Sequence, residues 1–193
     1  MKIVSISENI ELEKRIAVTP ETAKKYIGIG FEVLLPENYG RHLGIQKEEY
    51  LELGVKILKD EKEIINTGDI ITQVGLLSDD KQELLSENQI LIGSLNPFLN
   101  KDKIDNLIKK KVNIFSLELL PRITRAQSMD ILSSQANLAG YKAVIDSFAI
   151  FKKAIPMMMT AAGTIPASKV LVVGAGVAGL QAIATAKRMG AIV

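Results

Sequence analysis

Two groups of residues in this chain have the types and spacing that chemistry requires. Gly174-Ala175-Gly176-Val177-Ala178-Gly179 follows at once on the apolar run Lys169-Val170-Leu171-Val172-Val173 and opens a helical pattern that continues through Met189. A G-x-G-x-x-G sequence between a strand and a helix is the setting in which that motif binds a dinucleotide. Gly174 permits the tight turn, Gly176 lets a pyrophosphate approach the backbone, and Gly179 lets helix and strand pack closely. The helix N-terminus then offers unpaired N–H groups and the positive end of its dipole. Gly174, Ala175, Gly176, Val177 and Gly179 are the candidate pyrophosphate contacts; the plainer alternative is a tight packing turn.

The second group lies upstream. Arg122, Gln127, Asp130 and Ser133, continued by Ser134, Asn137 and Tyr141, recur at intervals that put the members from Gln127 onward near one helical face. Two readings stay open: a solvated face with a helix cap, or a row of amide, carboxylate and hydroxyl groups turned into a cleft, able to hold a nicotinamide carboxamide and ribose.

Other chemistry is scarce. The chain has no Cys and one His, His42, which removes disulfides, thiolate nucleophiles, iron–sulfur clusters and Cys-based zinc sites and leaves little His-based catalysis or metal binding. His42 itself lies in Tyr39-Gly40-Arg41-His42, which reads as a surface turn. Lys+Arg 24 against Asp+Glu 22 leaves a net charge of +2, too weak a field to hold nucleic acid or an anionic membrane surface.

Strands and helices must position these groups. Short β-rich runs at residues 2–6, 31–35, 55–58, 69–74, 90–94 and 112–116 alternate with amphipathic stretches, the pattern of a parallel sheet with helices on its faces. Thr19-Pro20-Glu21 starts a helix with a hydroxyl cap, a proline where no N–H is needed and an acid facing the dipole; Gly28 or Gly30 ends it. Further helices are predicted at 46–53, 60–66, 79–85 and 101–111, the last closing on Lys109-Lys110-Lys111, which suits a helix C-terminus. After Pro121 a longer helix is predicted over 128–151, capped by Ser128 with Asp130 in its first turn. Ala136, Ala139, Gly140 and Ala143 would let another backbone pack closely against it. Met157-Met158-Met159-Thr160 reads as core filler or flexible lining, and 161–168 as a loop of small residues.

Charge divides the chain unevenly. From residue 154 to 193 the only charges are Lys169, Lys187 and Arg188. The uncharged run 170–186 is near the lower length limit of a membrane helix, but Gly174, Gly176, Gly179 and Gln181 interrupt it, and a buried parallel strand followed by a packed helix is equally apolar. No membrane span is predicted. Glu8, Glu11 and Glu13 interrupt any signal-peptide apolar region, so the protein is expected to stay where it is made. Residues 1–125 form an expected N-terminal α/β domain, 126–151 a crossing helix, and 152–193 the start of a nucleotide-binding domain. The acid that would bond the adenosine ribose is expected about 20 residues beyond the glycines, past Gly190-Ala191-Ile192-Val193, so the sequence is expected to be a piece of a longer protein. The fold class is α/β, with two Rossmann-like doubly wound parallel-sheet domains, the second incomplete.

The stretch Pro121-Arg122-Ile123-Thr124-Arg125-Ala126-Gln127-Ser128-Met129-Asp130, followed by Leu132-Ser133-Ser134-Gln135-Ala136-Asn137-Leu138-Ala139-Gly140-Tyr141-Lys142-Ala143-Val144, closely resembles the NAD(H)-binding alpha subunits of proton-translocating NAD(P) transhydrogenases, in the alanine dehydrogenase/transhydrogenase family. The resemblance runs from Arg15-Ile16-Ala17-Val18-Thr19-Pro20 to the final Gly190-Ala191-Ile192-Val193; residues 121–130 are its most specific part. It implies NAD(H) in a cleft between two domains, with Arg122, Gln127, Asp130 and Ser133 on the nicotinamide side and the glycine-rich turn on the pyrophosphate. It also implies direct hydride transfer to NADP+ on a separate NADP(H)-binding component, coupled to proton movement through a transmembrane component. A homodimer is implied as well, cytoplasmic and peripheral on the inner face of the bacterial cytoplasmic membrane through those partners. Such chemistry needs two aligned nicotinamide rings and excluded water, not a general base.

Alanine dehydrogenases share the early Arg and the V-x-T-P-like segment, so Arg15 does not separate the two. They are expected to use a Lys and a His on the substrate, whereas the matching strand ends here carry Gly75 and Asn96, which leaves amine oxidation without its usual proton acceptor. A non-enzymatic NAD(H)-binding module is the third alternative.

Overall fold

The computed structural model describes residues 1–193. It comprises two compact units, Met1–Pro121 and Arg122–Val193. The first is built on six strands, β1 (Lys2–Val4), β2 (Glu32–Pro36), β3 (Lys56–Leu58), β4 (Ile70–Thr72), β5 (Ile90–Gly93) and β6 (Asn113–Ser116). Every pairing among them is parallel, in the order β3-β2-β1-β4-β5-β6, which is the order of dinucleotide-binding folds. Helices α1 (Pro20–Gly28), α2 (Lys47–Glu52), α3 (Glu61–Thr67), α4 (Asp79–Glu83) and α5 (Lys101–Lys109) connect them. The predicted α/β alternation is present, with element ends displaced by a few residues at most.

Local chemistry sets the helix starts. Thr19 Oγ1 accepts the Thr22 N–H at 3.2 Å ahead of Pro20, Asp60 accepts from Lys62 N at 2.9 Å, and Gln46 N donates to Glu49 at 2.8 Å. Along β2, Leu34 enters one apolar cluster with Val4, Ile71 and Leu91, while Val33 and Leu35 enter another with Val18 and Tyr50. Both faces are therefore covered there, and the strand reads as a continuous apolar run. The segment between β1 and α1 is tied to the sheet by two buried phenols. Tyr39 Oη accepts from Ala17 N at 3.1 Å and Val18 N at 3.0 Å, and Tyr50 Oη donates to Val18 O at 2.8 Å.

The second unit holds a 3₁₀ turn over Thr124–Met129, the helix α6 (Ile131–Ile150), the strands β7 (Met158–Thr160) and β8 (Gly163–Ile165), and the helix α7 (Val177–Arg188). Three expectations change here. The long helix begins at Ile131, with Asp130 as its cap in place of Ser128. Met158 and Met159 are exposed on an antiparallel hairpin, so they are not core filler, and Gly163–Ile165, expected within a loop, form its second strand after a turn at Ala161 and Ala162. The run 169–173 forms a single parallel bridge, Lys169 to Ile192, in place of a full strand. Val170 N donates to Ile192 O and Ile192 N to Ser168 O. With pairing confined to that end of the run, Leu171 and Val173 are 88% and 92% exposed. No helix is long and apolar enough to cross a membrane.

Candidate functional site

The polar group gathers around the start of α6. Asp130 accepts from Ser133 N at 2.9 Å and from Ser133 Oγ at 2.7 Å, closing the first turn as a carboxylate cap facing the positive end of the helix. Arg122 donates from Nε to Asp130 at 3.4 Å and from Nη2 to Ser133 Oγ at 3.1 Å. The Ser133 backbone and hydroxyl donors, with Arg122 beside them, hold the Asp130 carboxyl below the usual aspartate range. Gln127 lies in the 3₁₀ turn rather than on a helical face shared with Asp130. The structure nonetheless brings it together with the others: Arg122, Ile123, Thr124, Gln127, Asp130 and Ser133 line one concavity of about 760 Å³. Ile123 and Thr124 were not singled out from sequence, although they sit inside the most specific stretch of it.

The glycine-rich turn adjoins this concavity. Gly174 takes φ +101°, open to glycine and strained for other residues. A Cβ on Gly176 would meet nothing within 4 Å, whereas one on Gly179 would lie 2.0 Å from the Gly174 carbonyl oxygen. Gly179 therefore closes the turn on itself, and Gly176 leaves open space beside the first N–H groups of α7, which have no intrahelical acceptor. A second cavity, about 590 Å³, runs from Leu132, Ser133 and Ala136 on α6 to Gly174, Gly176, Val177, Ala178 and Gly179. Arg122 and Ser133 line both cavities. Ala175 is exposed and does not line either. Free amides at one end and a cation, carboxylate, hydroxyl and amide at the other suit a ligand with an anionic middle and a polar end.

The first unit has its own concavity, about 600 Å³, at the carboxyl ends of β1 and β4, where the strand order reverses and ligands commonly bind. Glu8 accepts there from Val74 N at 2.7 Å and Gly75 N at 3.3 Å, yet burial outweighs these bonds and raises its carboxyl. Glu61 pairs with Lys81 at 2.8 Å, and Arg15 lowers Glu13 by its hydrogen bonds. Sequence reasoning missed Glu8 as a partner of β4, since only the fold brings residues 8 and 74 together. Gly75 lines this concavity and Asn96, beyond β5, gives its N–H to Glu118, so neither position supplies a Lys or His. His42 bonds the Lys14 carbonyl on the surface. No cluster of three or more His, Cys, Asp or Glu could hold a metal.

Strand order and glycine-rich turn together define a Rossmann-type α/β protein. Residues 5–139 match the family described as alanine dehydrogenase/PNT, N-terminal domain, and residues 143–193 the corresponding C-terminal domain; the chain belongs to the alanine dehydrogenase/PNT family. It is 48% identical over 197 residues to an NAD(P) transhydrogenase alpha subunit of Rickettsia prowazekii, covering 100% of this chain and 51% of that protein. A solved transhydrogenase from Sinorhizobium meliloti superposes with a TM-score of 0.92 at 44% identity, over 98% of this chain and 57% of that one. An alanine dehydrogenase of Methanococcus maripaludis is 27% identical, over 93% of this chain and 48% of that protein. The chain thus spans about half the length of the curated relatives it matches.

Proposed function

We propose that the chain is the NAD(H)-binding part of a proton-translocating NAD(P) transhydrogenase, an oxidoreductase in which hydride passes directly between NADH and NADP+. The observation that carries this is the pair of cavities sharing Arg122 and Ser133. A pyrophosphate would sit on the amides from Gly174 to Gly179, with Ala175 and Val177 contributing backbone. The nicotinamide end would reach Arg122, Gln127, Asp130 and Ser133. Asp130, kept ionised by Ser133 and Arg122, is a ready acceptor for a carboxamide N–H.

NADP(H) would be carried by a partner component, with protons moving through a transmembrane component. The chain would be homodimeric and peripheral on the inner face of the bacterial cytoplasmic membrane through those partners. The higher identity to a transhydrogenase subunit than to an alanine dehydrogenase supports this reading, as does a first-unit concavity with Gly75 in place of a Lys.

The test combines the assembled subunit with its NADP(H)-binding partner, NADH and an oxidised NADP analogue of distinct absorbance. Hydride exchange is expected; its absence sinks the proposal, and alanine-dependent reduction of NAD+ would replace it with the dehydrogenase. Gln127→Ala and Asp130→Ala should each weaken NADH binding or slow hydride transfer roughly tenfold or more, as loss of a charged or oriented hydrogen bond does. Unchanged values in both would return these residues to a merely solvated face.

A further inference from the structure

Ser133, Ala136, Gly140 and Val144 recur on α6 at helical intervals and share a face. The surroundings of that face change along its length. Val144 is buried with Ala186 and Ala191, Gly140 is buried against the start of α7, and Ala136 and Ser133 line the cavity beneath the glycine-rich turn. The helices therefore touch at Gly140 and part from there toward the ligand cavity.

The contact at Gly140 is backbone to backbone. A Cβ there would lie 2.1 Å from the Ala178 carbonyl oxygen, 2.8 Å from its carbon and 3.0 Å from its Cα. No side-chain rotation relieves such an overlap. To regain ordinary separation α7 would have to withdraw by about 1 Å, carrying Val177, Ala178 and Gly179 with it. Gly179 is itself locked against the Gly174 carbonyl, so the turn would move as a piece.

We infer that Gly140 is a positioning residue that sets the span between the two halves of the dinucleotide site. It need not touch the ligand. It fixes how far the pyrophosphate-facing amides at 174–179 stand from Arg122 and Ser133, and hence whether one molecule reaches both. A displacement of about 1 Å away from the reacting atoms can cost on the order of 10²-fold in rate. This rests on the proposed NAD(H) site, and the experiment separates the two.

In the assembled enzyme, NADH and ADP affinities are measured by calorimetry for the wild type and Gly140→Ala. ADP needs only the turn, whereas NADH needs the whole span. Gly140→Ala should weaken NADH about tenfold or more, as loss of an oriented or charged hydrogen bond does, and ADP less than about threefold. Equal loss of both ligands, or no loss of either, overturns the inference. Failure of the wild type to bind NADH would instead sink the proposed function.

Val144→Ala controls for destabilisation without a wedge: it should lower the melting temperature and keep the NADH-to-ADP affinity ratio, and a changed ratio counts against the inference. A second route leaves Gly140 in place and serves if Gly140→Ala does not fold. Ala186→Val adds volume where α7 is buried against Val144 of α6, away from the ligand cavity, and should likewise hold the two helices apart. It should reproduce the selective loss of NADH; equal loss of both ligands, or none of either, overturns the inference.

Discussion

Asp130 releases its proton more readily than a free aspartic acid because the Ser133 backbone and hydroxyl donors, with Arg122 beside them, favour its charged form. Glu8 behaves oppositely: its hydrogen bonds from Val74 and Gly75 do not make up for burial, so its carboxyl is raised. Linkage turns this into two predictions of opposite sign. The stabilisation from Asp130 is present above its ordinary value of 3.8 and fades as pH falls through its lower folded value. In urea titrations, wild type should therefore exceed Asp130→Asn by a margin that is full near neutral pH and vanishes in strong acid. Glu8 holds its proton longer in the folded state, so ionisation above its ordinary 4.5 removes stability as pH rises toward the raised value. Glu8→Gln keeps an acceptor for both N–H groups without the charge, and should gain on wild type over that rise. A difference that ignores pH in either pair would mean that the surroundings do not tune that carboxyl.

Between strand and helix, the weight falls on hydroxyls that hold irregular chain. Tyr39→Phe strands the N–H groups of Ala17 and Val18, and should cost about 2 kcal/mol, since buried donors left unpaired are expensive. Tyr50→Phe removes one donor to the Val18 carbonyl and should cost about 1 kcal/mol. Denaturant unfolding decides, and a larger loss at Tyr50 would contradict the ranking. The same contrast between regular and irregular structure explains what was legible in advance. β2 could be read because both of its faces are buried, and α1 because Thr19 and Pro20 announce it. The start of α6 could not, since Ser128 and Asp130 are equally good cap residues and only the Ser133 hydrogen bonds choose between them. The hairpin at 158–165 escaped because three consecutive methionines carry no alternation of polar and apolar residues. At the site, hydrogen bonds bring Arg122, Asp130 and Ser133 together, but the spacing drew Gln127 onto a helix that begins only at Ile131.

At the scale of the molecule, the two units differ in what holds them. Residues 1–121 enclose apolar clusters on the sheet, including Ile64, Ile71, Leu91 and Tyr50 without measurable exposure. Residues 122–193 bury Val144, Ala186 and Ala191 as their cluster, with Leu171 and Val173 almost fully open. Because local opening is easiest where few apolar groups are buried, native-state hydrogen exchange on the intact chain should find amides in α6 and α7 less protected than those in β1, β4 and β5. A ligand that spans the turn and the α6 cap binds only the folded unit and stabilises it by mass action, about 2.7 kcal/mol at a hundredfold excess over its dissociation constant. Saturating NADH should accordingly slow exchange in 131–140 and 177–188 by up to about 100-fold while leaving the strands of the first unit unchanged. Equal protection of both units without ligand would contradict the ranking by buried apolar groups, and slowing by NADH confined to the first unit would show that the cavity at the glycine-rich turn is not where the nucleotide binds.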